Sequence, residues 1–124
     1  MTKKVLIIED DFTLSDAFGM TLKLAKYDVH ISENGKKALE YLEEETPDII
    51  LLDVLMPVMD GREFLRKFKN THGVPVVVLS NLDGKDDIDK LLSLGAQNYL
   101  LKSAISPNTL VPLVKSTLDA KESK

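Results

Sequence analysis

An aspartate stands where an apolar run stops. The segment Asp48 to Gly61, D-I-I-L-L-D-V-L-M-P-V-M-D-G, opens with residues 49–52, a run of the kind that forms a strand buried on both faces, and the run ends at Asp53. Pro57 and the pair Asp60-Gly61 then mark a loop with turn chemistry. Alone, Asp53 reads equally well as the start of a turn. Other polar residues close apolar runs in the same way: Glu9 and Asp10 after residues 5–8, Ser80 after 76–79, and Lys102 after 99–101. Each has a plain reading by itself. Acids that begin a helix complement its dipole, worth roughly 0.3–1 kcal/mol, a serine there caps a turn, and a lysine is solvated. On one rim of one sheet they amount to more. Two carboxylates about 4 Å apart repel by about 4 kcal/mol at an effective dielectric of 20. Three carboxylates and one lysine leave such a rim at a formal charge of about −2. A divalent cation resolves this, and oxygen ligands without His or Cys call for a hard ion, Mg2+ or alternatively Mn2+. An ion held by few carboxylates keeps positions open for phosphate oxygens. The implied chemistry is phosphoryl transfer, which depends on positioning and charge neutralisation. Asp53 is then a nucleophile that forms an aspartyl phosphate. Lys102 pairs with phosphoryl oxygens, and the Ser80 hydroxyl bonds another.

These residues act together only if the chain brings them to one place. Residues 5–8 predict a first buried strand, followed by the acids Glu9, Asp10 and Asp11. Residues 13–26 carry apolar side chains at a helical period, Leu14, Ala17, Phe18, Thr21, Leu22 and Ala25. A second strand follows at 27–31. Asn34-Gly35 turns the chain into a helix with Ala38, Leu39 and Leu42 inward. After the third strand, 49–52, Asp60 is placed to cap a helix whose buried stripe is Phe64, Leu65 and Phe68. The fourth strand, 76–79, leads through a polar loop to a helix over 86–94 with Ile88, Leu91 and Leu92 inward and Gly95 beyond its end. The fifth strand is 99–101. Ser106 as cap and Pro107 at the first position open the last helix. Alternating strands and helices mean an α/β doubly wound, five-stranded parallel sheet with right-handed crossovers. Of the two common doubly wound strand orders, the size and five strands favour 2-1-3-4-5, flavodoxin-like, which sets the ends of strands one and three side by side. Glu9, Asp10 and Asp53 then converge although more than 40 residues separate them.

Composition bounds the rest. The chain has 124 residues, 44% hydrophobic and 29% charged, which fits a single domain over 1–124. No apolar run approaches the roughly 20 residues of a membrane span, and the N-terminus meets acids too early for a signal peptide. The absence of cysteine excludes disulfides, thiolate zinc sites and a cysteine nucleophile, and fits the cytoplasm. A net charge of −4 without a basic block argues against direct nucleic-acid binding. His30 and His72 lack metal-ligand spacing and read as ordinary strand or surface residues.

The motifs V-L-I-I-E-D-D, D-x-x-M-P-x-M-D-G, V-V-V-L-S and N-Y-L-L-K, in that order along nearly the whole chain, resemble the receiver domain of bacterial two-component response regulators. The resemblance implies that Asp53 takes a phosphoryl group from a histidine kinase or histidine phosphotransfer protein. It implies Mg2+ bound by Asp10, Asp53 and the backbone carbonyl of Leu55, with Glu9 acting largely through water. It makes Ser80 and Tyr99 a switch pair, Ser80 moving toward the phosphate and Tyr99 turning inward behind it. Phosphorylation adds about −1.5 to −2 charge, enough to bias a bistable surface of fourth helix, fifth strand and fifth helix. Output is expected through a downstream protein target or a fused effector domain, and a homodimer through that surface is a further expectation. Such a protein is a phosphoryl acceptor, not a turnover enzyme.

The sequence also departs from that family. Lys102 is followed by Ser103 where proline in a cis peptide is usual, so the Lys102–Ser103 bond is expected either trans with a rearranged loop or cis and held by its surroundings. Asn81 stands where Ala or Gly is preferred and is expected to narrow access to the phosphate. Leu55 and Leu82 occupy positions that tune dephosphorylation; being apolar, neither orients a water, which predicts a long-lived phosphoryl group. Lys26 ends the first helix where Gly is common, and is strained if φ is positive there. Pro112 must kink the last helix or mark a later start. Met20 and Leu24, four apart, present an apolar pair on the helix that kinases dock against. Two other readings stand beside this one. Glu9-x-Asp11-x-Thr13 echoes the motif of haloacid dehalogenase-like phosphatases, with Glu in place of the nucleophilic Asp. A receiver-like binding module that signals without phosphate is the other.

Overall fold

Hydrogen bonding in the computed structural model, which describes residues 2–122, gathers the apolar runs into one parallel sheet. The elements are β1 (Lys4–Ile8), α1 (Phe12–Leu24), β2 (Asp28–Ser32), α2 (Gly35–Leu42), β3 (Ile49–Leu52), α3 (Gly61–Lys67), β4 (Val76–Ser80), α4 (Lys85–Ser93), β5 (Asn98–Leu101), a 3-10 turn (Lys102–Ala104) and α5 (Pro107–Glu122). The strand order is β2-β1-β3-β4-β5, as the doubly wound reading expects. β1, β3 and β4 lie inside the sheet and are buried on both faces, which is why their sequences show no polar alternation.

Alternating side chains of these strands feed two cores. On one face Leu6, Ile8, Ile50, Leu52, Val76 and Val78 meet Ala38 of α2, Phe64 and Leu65 of α3 and Leu91 of α4. On the other, Val5, Ile7, Ile49, Leu51, Val77 and Leu79 meet Phe18 and Leu22 of α1 and Leu110, Val114 and Leu118 of α5. The register pairs Ile8 with Leu52 and Ser80 with Leu101, so the residues that follow those strand ends emerge together on one rim.

Side chains close most of the helix starts. Asp11, Asn34 and Asp60 accept from the amides of Leu14, Lys37 and Glu63 at 3.1, 2.9 and 3.1 Å. Ser106 caps α5 through its carbonyl, which accepts from Thr109 and Leu110, while its own amide donates to the Thr109 hydroxyl at 2.8 Å. α1 ends with Tyr27 N–H on the Leu22 carbonyl and Lys26 N–H on the Lys23 carbonyl, both 3.0 Å, and Lys26 at φ 75. α4 ends in the same way through Gly95 at φ 115, without the steric penalty of a side chain.

The elements differ from the sequence expectation in detail. α1 starts one residue earlier and stops two earlier than 13–26, because Asp11 is the cap and Lys26 already lies in left-handed backbone. β2 lies one residue later than expected. α4 lies one residue earlier, and Leu92, expected inward, is 42% exposed while Leu91 is fully buried. α5 begins at Pro107 and runs through Pro112, which has no N–H to offer the carbonyl of Asn108. None of the helices among the described residues is long and apolar enough to cross a membrane.

Candidate functional site

Strand pairing delivers the acids. The amide of Asp53 still donates to the Ile8 carbonyl at 2.9 Å and that of Glu9 to the Ser32 carbonyl at 3.0 Å, so both residues leave the sheet with fixed backbones. Each of Glu9, Asp10 and Asp53 offers a carboxylate oxygen within 4.8 Å of those of the other two. Glu9 and Asp53 are buried, at 4% and 7% exposure, and Asp10 faces solvent. Asp53 Oδ1 accepts from the Val54 amide at 2.8 Å, and Glu9 Oε2 from the Asp11 amide at 3.3 Å. Lys102 reaches in from the other side, its Nζ 2.5 Å from Glu9 Oε1 and 3.3 Å from Asp53 Oδ2.

The electrostatics are unequal. Burial, then the neighbouring Asp53, raise the Glu9 carboxyl above its ordinary range, and Lys102 only partly offsets them. Burial, then Glu9, raise Asp10. Burial works to lower Lys102, but Glu9 and Asp53 outweigh it, so the ammonium is held above its usual value and stays charged. Three carboxylates against one ammonium leave a formal charge of about −2 in a partly buried notch. The donor set is all oxygen and half-enclosed, which fits a hard divalent cation and neither zinc nor copper. It is the one such cluster of His, Cys or carboxylate donors among the described residues.

The loop after Asp53 is braced by a glycine. The amide of Gly61 donates to the Val54 carbonyl at 2.8 Å, and a Cβ at Gly61 would lie 2.8 Å from the Asp53 carbonyl oxygen and 2.9 Å from Val54 Cα. Only glycine lets α3 start this close to the end of β3. Val54 and Met56 are buried, Leu55 is exposed, and Val58 holds φ 72 in full solvent.

Ser80 ends β4, the strand next to β3, and joins Tyr99 of β5 through the β4–α4 loop. The buried Ser80 Oγ accepts from the Leu82 amide at 3.3 Å, and the Tyr99 hydroxyl donates to the Leu82 carbonyl. Burial raises the Tyr99 phenol, although the nearby Ser80 hydroxyl works the other way, so the phenol remains a donor. The Lys102–Ser103 bond is trans, since the described residues contain no cis peptide, and the chain turns at once into the 3-10 turn. Asn81 Oδ1 accepts from the Ser103 amide at 3.1 Å. The sequence marks the two residues as separate departures from the family pattern and does not show that they touch. Asp11 serves as the α1 cap, apart from the acid cluster. His30 stacks on Tyr41 at 4.0 Å between ring centroids, and His72 is exposed.

A five-stranded 2-1-3-4-5 sheet with an acidic notch at the β1/β3 ends defines a flavodoxin-like α/β protein of the receiver type. The model of the response regulator receiver domain family matches residues 5–115, and the chain belongs to that family. Solved structures agree. A CheY-like receiver domain from Methanospirillum hungatei superposes with a TM-score of 0.92 at 27% identity, covering 99% of this chain and 98% of the other. The receiver domain of a Syntrophus aciditrophicus histidine kinase gives 0.84 at 30% identity, covering 96% and 92%. The chemotaxis response regulator CheY4 of Vibrio cholerae gives 0.84 at 28% identity, covering 94% and 98%. Membership in this family removes the haloacid dehalogenase-like reading, in which Asp11 would also need to be free of its cap. It gives the chain a signalling role of the two-component kind.

Proposed function

We propose that this chain is a phosphorylation-activated receiver in which Asp53 accepts the phosphoryl group. The observation that carries the reading is Lys102, an ammonium held against both Glu9 and Asp53 while Asp10 completes a carboxylate triad. One Asp53 carboxylate oxygen bonds to phosphorus as the phosphorus–nitrogen bond of a phosphohistidine breaks. The electron pair stays on the imidazole nitrogen, which takes up a proton. Lys102 then exchanges its contact with Asp53 for a phosphoryl oxygen, and the Ser80 hydroxyl, one strand away, donates to another. Asp10, Asp53 and the Leu55 carbonyl would hold Mg2+, or Mn2+ in its place, with Glu9 acting through water; the ion supplies charge neutralisation on the phosphoryl oxygens.

The donor is a histidine kinase or histidine phosphotransfer protein in the cytoplasm. Met20 and Leu24, 58% and 80% exposed on α1, form the docking ridge, and Phe12 at 80% exposure extends it toward the site. Output runs through α4, β5 and α5, where the Tyr99–Leu82 contact couples the switch to exposed Leu92 and Leu101, for a protein target, a fused effector or a second copy. Leu55 and Leu82 offer no group to orient a water, so the phosphoryl group is long-lived.

The test uses the full chain with Mg2+ and a small acyl phosphate donor. Intact mass rises by one phosphoryl group, and the gain disappears in Asp53→Ala. Absence of any gain in the wild type supports a phosphate-independent module instead. A half-life of only seconds after donor removal contradicts the lifetime claim.

A further inference from the structure

The turn that carries Lys102 is held from outside itself. It closes through Ile105 N–H on the Lys102 carbonyl at 3.2 Å. The first amides of any helical turn find no partner within it. Here the Ser103 amide is such a group, and its acceptor comes from a different loop, Asn81 Oδ1 at 3.1 Å across 22 residues of sequence. This is helix capping performed between loops. Register makes it feasible, since Ser80 pairs with Leu101, and Asn81 and Ser103 follow one and two residues beyond that pair. A proline at position 103 has no N–H to give. The two departures from the family pattern therefore form one device, with Ser103 supplying the donor and Asn81 the acceptor.

We propose that Asn81 is a positioning residue, which holds the 3-10 turn so that Lys102 points at Glu9 and Asp53. The same bond joins the loop bearing Leu82, where Tyr99 docks, to the loop bearing the ammonium. Its kinetic consequence rests on the phosphoryl-acceptor reading, while its geometry stands without it. A gate that only narrows access to the phosphate predicts the opposite sign, because removing the side chain would then speed phosphorylation.

The experiment combines NMR on the unphosphorylated full chain with phosphorylation rates. In Asn81→Ala the Ser103 amide exchanges roughly tenfold faster, and the Lys102 ammonium signal, protected by Glu9 and Asp53, is lost. Asn81→Asp keeps an oxygen acceptor and restores slow exchange. With a small acyl phosphate donor and Mg2+, Asn81→Ala slows phosphorylation roughly threefold or more, but changes nothing when Ser103→Pro has already removed the donor. Such dependence of one substitution on the other is the mark of a shared contact. Unchanged Ser103 exchange in Asn81→Ala overturns the proposal, as does a faster rate in both backgrounds. If the wild type takes up no phosphoryl group, the acceptor reading fails by itself, and the two NMR signals decide the positioning claim.

Discussion

Val58 and Lys26 hold left-handed backbone, φ 72 and φ 75, without being glycine. For Val58 the strain is the larger, because a β-branched side chain rarely adopts positive φ. The Met59 amide donates to the Pro57 carbonyl at 2.9 Å, which makes Val58 the centre of a γ-turn of the rarer, strained hand. Such backbones cost of order 1–3 kcal/mol, against the roughly 0.5–1 kcal/mol of extra entropy a glycine loses. Val58→Gly is therefore expected to raise stability by about 1 kcal/mol, and Lys26→Gly by about 0.5–1 kcal/mol. Urea unfolding checks both: the midpoint rises with an unchanged slope. A midpoint that stays or falls contradicts the strain argument. The Lys26 conformation was foreseeable from its place at a helix end, whereas Val58 looked like any apolar residue in a loop. Glu9, Asp10, Asp53 and Lys102 could be placed together from sequence because each closes a strand. The Asn81–Ser103 contact could not, since a side-chain oxygen meeting a distant amide leaves no period in the sequence.

At the scale of elements, the site depends on how closely α3 approaches the end of β3. A methyl at Gly61 would meet backbone at 2.8 and 2.9 Å, and backbone cannot give way as a flexible side chain can. Gly61→Ala is expected to cost about 1–3 kcal/mol and to slow phosphorylation by shifting Asp53. Gly84→Ala is its control, because a methyl there meets only the Asp87 carboxylate tip at 3.3 Å. Equal urea midpoints for the two variants contradict the brace. Helix starts were legible because Asn34, Asp60 and Ser106 are capping residue types at the right places. Leu91 is inward as expected, and Leu92 is exposed for a geometric reason. Neighbours on a helix are about 100° apart, and α4 presents only a narrow stripe to the sheet.

For the molecule as a whole, strand order was legible because right-handed crossovers and five βα units leave few arrangements. The two cores followed from it, each fed by alternate residues of the same three buried strands. What sequence could not supply was the state of the site, in which Lys102 already bridges Glu9 and Asp53 and Tyr99 already reaches Leu82. The exposed α1 ridge belongs to this scale too. Replacing Met20 and Leu24 with Glu is expected to lower phosphotransfer from the partner kinase tenfold or more, roughly the loss of one well-buried apolar contact, while the rate with a small acyl phosphate stays the same. An equal loss with both donors would place the damage in the site and contradict a docking role. The central claim is that phosphate arrives on one particular carboxylate. Borohydride reduces an acyl phosphate to an alcohol, so treatment of the phosphorylated chain followed by peptide mass mapping reads the position directly. Conversion of Asp53 to homoserine, only in the sample given donor and Mg2+, is the predicted result; reduction at any other residue, or at none, contradicts the account.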